Sequence, residues 1–358
     1  MAEAPEIPEI DRLAHVPHPR ETATLVGHDG EEAAFLEAYR SGRFPHAWIL
    51  SGDEGVGKAT FAYRAARFVL SHPDPGSAEV QRAHDLSVPD DAPAARRIVA
   101  RSHPGLFVVR RAWNPTSKTF RTEILAEQSR DAVRFFATTA GGEGWRVCIV
   151  DAADDLNVQS ANALLKVVEE PPHRALFLIV SHMPGRLLPT IRSRCRMLRF
   201  RNLEPAEVAA AAAAALGTGP ADAAVQRAAA LAGGSVRQAC KLMDEGTLAI
   251  VEHIRGALDR LPAIDWADLH AVAEGLAGRA NDTAFEVAAE TIFAWLSEQT
   301  QAAAGQGAPA RRLAPLAEVW DKVARAIRET DAYNLDRRAL VLTLFHDLSD
   351  ALRQSRAA

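Results

Sequence analysis

Along the first two hundred positions, apolar residues fall into short unbroken runs separated by stretches with helical spacing. The runs are 47–50, 105–109, 145–150 and 175–180, with 196–200 as a possible fifth. They are too short for helices and continuous in the way of strands that a parallel sheet buries on both faces. Between them, 30–42 sets Ala34, Phe35 and Ala38 on one helical face. A second helix runs from a glycine-rich turn to about Leu70, and 124–136 aligns Ile124, Leu125, Val133 and Phe136. Residues 159–169 form a helix that Pro171 and Pro172 stop, and Pro189 opens a short one to Arg192. Strands alternating with helices to residue 201 predict a doubly wound α/β domain. Residues 71–104, rich in Pro, Asp, Ala and Ser, read as an insertion or mobile excursion, and Pro5, Pro8, Pro17 and Pro19 make 1–20 an extended arm.

Beyond residue 203 the strand signal stops. Segments 204–216, 221–231 and 235–243 read as a small helical group, with turns at 217–220 and at Gly233-Gly234. From Ile250 onward longer helices follow, separated near 305–309, with Ile292, Phe293, Trp295, Leu296, Trp320, Leu340, Leu342 and Phe345 as apolar anchors.

At 358 residues the chain exceeds one hydrophobic core, so two or three domains are expected. Its 48% hydrophobic and 24% charged residues are ordinary for a globular protein. The acidic, proline-containing start (1–7) is unlike a signal peptide and no run is long enough to span a membrane, so a cytoplasmic location is expected. Cys148, Cys195 and Cys240 are too far apart for a disulfide framework or a zinc site. A net charge of −5 argues against a protein governed by its own nucleic-acid affinity. Six arginines (186, 192, 194, 196, 199, 201) nevertheless lie between 186 and 201 with no acidic residue among them. That cluster requires an anionic partner or a solvated face.

The first candidate chemistry is Gly52-Asp53-Glu54-Gly55-Val56-Gly57-Lys58-Ala59-Thr60, between a strand and a helix. Gly52, Gly55 and Gly57 let successive N–H groups curl around phosphate oxygens, and Lys58 adds a point charge at a helix N-terminus. The hydroxyl that should follow the lysine to hold Mg²⁺ is replaced by Ala59. Thr60 stands one residue on, rotated by about 100°. The second candidate is Asp151, closing the apolar run 147–150 where an acid orients Mg²⁺ in phosphate-loop folds. Ala152 follows it, leaving no acid to polarise an attacking water. Asp154 or Asp155 could instead cap the next helix. Two complementary losses in a preserved framework point to a nucleotide fold retained for assembly or signalling.

The run Ser160-Ala161-Asn162-Ala163-Leu164-Leu165-Lys166-Val167-Val168-Glu169-Glu170-Pro171-Pro172 resembles the helix and acidic-proline turn of clamp-loader ATPases. Residues 181–195, ending in Ser193-Arg194-Cys195, resemble that family's Ser-Arg-Cys segment, and His46-Ala47-Trp48 precedes the loop as in its members. As a set these motifs resemble the AAA+ clamp-loader family of bacterial DNA polymerase III, above all its delta-prime group. The likeness is strong over 22–202 and weakens to the Gly233-Gly234-Ser235-Val236-Arg237 turn.

The resemblance implies an arm (1–21), a P-loop α/β domain (22–202, with the 71–104 insert), a helical lid (203–247) and an oligomerising helical collar (248–358). It gives Arg194 the role of a finger reaching in trans to a neighbour's ATP, a task suited to a planar, always-charged guanidinium. It places Arg237 where relatives sense their own nucleotide, and Ser181 at the sensor position ending the fourth strand. It implies ATPase subunits and a delta subunit as partners, the sliding clamp through the complex, and primer–template DNA contacted by its backbone, with no membrane. No cofactor is required, although ATP or ADP could be held without turnover. The insert lacks the cysteines of the family's zinc knob, so no zinc is expected, and His72, His84 and His103 read as solvated loop residues. Two competing readings are an active ATPase, opposed by Ala59 and Ala152, and a DNA-binding module, opposed by net acidity and only 6% aromatic residues.

Overall fold

A computed structural model describes residues 8–137, 144–277, 282–333 and 335–357. The start of the expected arm, 1–7, lies outside them. The chain divides into two compact units, Met1–Arg237 and Gln238–Ala358.

The first unit runs α1 (Asp29–Arg40), β1 (Ala47–Ser51), α2 (Lys58–Ser71), α3 (Ala78–Arg82), α4 (Pro93–Val99), β2 (Leu106–Val109), β3 (Trp113–Asn114), β4 (Thr119–Phe120) and α5 (Ala126–Ala137). It continues with β5 (Arg146–Val150), α6 (Val158–Glu169), β6 (Ala175–Ser181), α7 (Pro189–Arg192), β7 (Arg196–Arg199), α8 (Pro205–Leu216), α9 (Ala223–Leu231) and the start of α10 (Val236–Leu242), which crosses the boundary between the units. Five strands form one sheet in the order β2-β5-β6-β1-β7, every pairing parallel. Alternate side chains leave opposite faces of a strand. Trp48, Leu50, Val147, Ile149, Leu176 and Leu178 accordingly join one apolar cluster with Phe35 of α1 and Phe61 of α2. Ala47, Ile49, Cys148, Val150, Phe177 and Ile179 join another with Phe136 of α5 and Leu164 of α6. Both faces are covered, which is why these strands read as unbroken apolar runs.

Two expectations are corrected in this unit. Residues 71–104 are not a mere excursion, since α3 and α4 carry Val80 and Ile98, with Leu86 between them, into the core of the first cluster. Helices of five and seven residues are too short to show a period, and Ser77 caps α3 through Val80 N while Pro93 opens α4. Ile124 is not helical: it bridges Leu156 in parallel, and the helix starts two residues later, with Gln128 Oε1 accepting from Leu125 N at 2.7 Å. The hairpin of β3 and β4, closed by Trp113 against Phe120, had no legible signal because two-residue strands cannot alternate.

The second unit is helical, with α11 (Thr247–Asp259), α12 (Trp266–Gly275), α13 (Asp282–Gly305), α14 (Ala310–Tyr333) and α15 (Arg337–Ala357). Ile292, Trp295, Leu296, Leu340 and Phe345 are buried there as expected, and Phe293 and Leu342 partly so. Trp320 is instead 37% exposed, its ring lying against Phe293 at 5.0 Å. Among the described residues no helix is long and apolar enough to cross a membrane.

Because Leu86 is 1% exposed, Leu86→Ala is expected to cost about 2–5 kcal/mol of unfolding free energy in a denaturant titration. A cost within about 0.5 kcal/mol, the level of a surface substitution, would mean the insert is not part of the core.

Candidate phosphate-loop site

The loop leaves the carboxyl end of β1, and its glycines are required by what surrounds it. Gly52 (φ +150) and Gly55 (φ +78) hold backbone angles that side chains disfavour. A Cβ on Gly52 would strike the Phe200 carbonyl; one on Gly55 would collide with Ser235 Oγ and come within 2.7 Å of Arg237 Cβ. The turn before α10 is thus seated on the loop, and Val236 N donates to Gly55 O at 3.0 Å.

Lys58, the first residue of α2, is buried and turned back on its own loop. Its Nζ donates to Gly52 O at 2.6 Å and to Asp53 O. Burial lowers its pKa to about 8, against the opposing pull of Asp151, Glu54, Asp53 and Asp154. Asp151 follows β5 at the same sheet edge. Desolvation of its carboxyl, with Asp11 close by, pushes it up to about 8 although Lys58 and Arg110 act the other way. Burial thus favours the neutral form of this carboxyl.

Asp154 organises the third strand end. Its carboxylate accepts from Ser181 Oγ at 3.0 Å, His182 N at 2.6 Å and Met183 N at 2.9 Å. It does not cap α6; Asn157 does, accepting from Ser160 N, while Asp155 pairs with Arg111 at 3.0 Å. Gly52, Gly55, Gly57, Lys58, Asp151 and Ser181 therefore gather at the carboxyl edge of the sheet, and Arg237 joins them from α10, its Nε 3.4 Å from Glu54. Thr60 is half-buried one turn into α2, and no described hydrogen bond ties it to this group.

Sequence reasoning missed the segment that completes the site. Glu9 is almost fully buried and meets Arg110 at 2.5 Å, Arg20 at 2.7 Å and Arg101 at 3.3 Å. Burial would raise its pKa, but hydrogen bonds from Arg110 and Arg20 hold it down to about 2. Two residues on, the Asp11 carbonyl accepts from Arg237 Nη1 at 3.0 Å. The available signal was two acids between prolines, Glu9 and Asp11, with their arginine partners scattered along the chain.

Arg194 lies elsewhere. It follows α7 and precedes β7, at the amino edge of the sheet, because β7 runs parallel to β1 with Arg196 opposite Trp48. At about 3.3 Å per residue, the strands separate this edge from the loop by more than 10 Å. The Arg194 side chain is 40% exposed; it pairs with Glu169 at 2.9 Å and donates to Thr190 O at 3.0 Å. Other members of the arginine run are also engaged: Arg196 covers the Trp48 ring at 4.9 Å, and Arg201 pairs with Glu207 at 2.6 Å.

Among the described residues no group of three or more His, Cys, Asp or Glu is placed to hold a metal. His72 Nδ1 lies 3.0 Å from Phe68 O and His103 Nδ1 accepts from Gly105 N, so neither is simply solvated. Burial raises the thiols of Cys148 and Cys195, the latter to about 12, making both unreactive.

A parallel sheet in this order, with a glycine-rich loop after β1 and an acid after β5, is a phosphate-loop arrangement. The family described as DNA polymerase III, delta subunit matches residues 28–204. Parts of the chain also align with named relatives. DNA polymerase III subunit delta' of Pseudomonas aeruginosa is 35% identical over 205 residues, 56% of each chain. Subunit gamma/tau of Mycobacterium tuberculosis is 32% identical over 191 residues, 52% of this chain and 30% of that one. A crystal structure of a DNA polymerase III gamma subunit-related protein from Thermotoga maritima, 16% identical, covers 90% of this chain and 100% of that one with a TM-score of 0.40. That superposition is too loose to bear on detail. Over residues 28–204 the chain carries the domain of this DNA polymerase III subunit family, and it is similar there to subunits named delta' and gamma/tau. The matched stretch spans little more than half of the Pseudomonas relative and less of the other.

Since the folded pKa of Asp151 is raised from 3.8 to about 8, the folded state holds the extra proton between those values. Stability therefore falls as pH rises through that window. Asp151→Asn is expected to remove this slope, so its Tm gains on wild type steadily from pH 4 to pH 8. A constant Tm difference across that range would contradict the assignment.

Proposed function

We propose that this chain is a cytoplasmic accessory subunit of a DNA polymerase III clamp loader, helping to place the sliding clamp on primed DNA, and that Arg194 completes the ATP site of a neighbouring ATPase subunit. The observation that carries this reading is the placement of Arg194. It is exposed at the amino edge of the sheet, out of reach of the chain's own loop at the carboxyl edge. A guanidinium there can serve phosphate only on another molecule. Its hold on Glu169 is a surface ion pair worth no more than about 1 kcal/mol, easily exchanged for a phosphate oxygen. Such a group can fork two donors onto phosphate oxygens and stabilise the charge that builds up during transfer.

Three features of the chain's own site support the absence of turnover there. Ala59 supplies no hydroxyl to a metal, Ala152 no acid to a water, and burial favours the protonated form of Asp151. The loop could still hold ATP or ADP without hydrolysing it, through Gly52, Gly55, Gly57, Lys58, Thr60 and Arg237. No zinc is required, because the 71–104 insert has no cysteine. In this reading 203–247 acts as a lid and 248–358 as the collar joining gamma/tau-type ATPase subunits and a delta subunit. The sliding clamp is met through the complex, and primer–template DNA through backbone phosphates.

The test is ATP turnover by the reconstituted loader with clamp and primed DNA. Arg194→Ala is expected to slow hydrolysis at the interface this chain completes by ~10³-fold, while the isolated chain shows none. Unchanged turnover in the variant assembly would return Arg194 to a basic face. Robust hydrolysis by the isolated chain would favour an active ATPase instead.

A further inference from the structure

One contact of residues 8–20 reaches a group beside the phosphate loop that a nucleotide would need. The Asp11 carbonyl accepts from Arg237 Nη1 at 3.0 Å, occupying the arginine as a phosphate oxygen would. The Asp11 carboxyl lies 3.8 Å from Arg110 and close enough to Asp151 to raise its pKa. Glu9 is the anchor, buried among Arg20, Arg101 and Arg110. Around the loop itself, Lys58 is satisfied by the carbonyls of Gly52 and Asp53. Nearby, Arg237 Nε lies 3.4 Å from Glu54, and the buried His182 Nδ1 has no hydrogen-bond partner. The His182 ring lies within electrostatic range of Lys58, Glu54, Asp154 and Asp53. Buried polar atoms are ordinarily satisfied, so the unpartnered His182 nitrogen marks a place where a polar group of a ligand is missing.

We infer that residues 8–16 form a strap that closes a nucleoside-diphosphate site on this chain, so that the loop binds ADP only when the strap lifts. The anchor is electrostatic. One buried carboxylate neutralises several guanidiniums, and replacing it by a cation would leave like charges facing one another. The nucleotide's phosphates would then draw Lys58 from its loop carbonyls and take Arg237 from the Asp11 carbonyl. Because binding requires the lifted form, the apparent affinity of the native chain is reduced by the fraction of time the strap is open.

The inference rests on the reading of Gly52–Lys58 as a phosphate loop, and the probe is a fluorescent ADP derivative titrated into the full chain. Glu9→Lys is expected to bind it at least about tenfold more tightly than wild type, and Lys58→Ala added to that variant to abolish the gain. If Glu9→Lys does not fold, Glu9→Gln combined with Asp11→Ala carries the same expectation. Amide exchange of the wild-type chain in millimolar ADP supplies a second readout: 8–16 should exchange faster while 52–58 slows. Equal affinity with and without the anchor, or loop protection with an unmoved strap, overturns the gate and leaves the loop reading intact. A folded anchor variant that binds no ADP overturns both.

Discussion

All five strands of the main sheet point the same way, and the chemistry of this chain divides according to that polarity. Loops leaving the carboxyl ends of β1, β5 and β6 bring Lys58, Asp151 and Ser181 together. The segment entering β7 leaves Arg194 at the opposite edge. Burial of both sheet faces makes the arrangement rigid, since neither edge can approach the other without tearing paired strands apart. A group at the amino edge thus cannot serve a phosphate at the carboxyl edge of its own sheet. It serves another molecule or none.

At the carboxyl edge the balance of charge explains why the site is quiet. Lys58 is the cation turned into the loop, and Asp53, Glu54, Asp151 and Asp154 all act on it. An incoming nucleotide would add further negative charge to that surrounding. In an active phosphate-loop site a divalent cation offsets this, held by a hydroxyl and an ionised acid. Here the hydroxyl is missing and burial raises the pKa of the acid. The chain compensates internally, giving Lys58 two carbonyls and Arg237 one.

The sheet was largely legible because unbroken apolar runs and the loop's glycines are local signals. So were most helices, down to the four residues of α7. What escaped depended on contacts distant in sequence. Glu9 and Arg110 are a hundred positions apart, and no window of residues reveals that they meet. The helices of the insert are anchored by Val80, Leu86 and Ile98, too far apart and too few to make a period. Asp154 read as a helix cap because acids before helices often are. Its carboxylate instead fastens the turn after β6, which only the fold brings near. Within the site, residue types named the chemistry, but the engagement of Arg237 by the chain's own backbone could not be seen in them.

The measurement that bears most directly on this account is ATP hydrolysis by a gamma/tau-type partner as the chain is titrated in, with Lys58→Ala and Arg194→Ala compared side by side. If the chain acts through its amino edge on a neighbour's nucleotide, Lys58→Ala stimulates as well as wild type and Arg194→Ala does not stimulate at all. The reverse pattern, with Arg194→Ala intact and Lys58→Ala inert, would contradict the account and locate the working nucleotide in this chain's own loop.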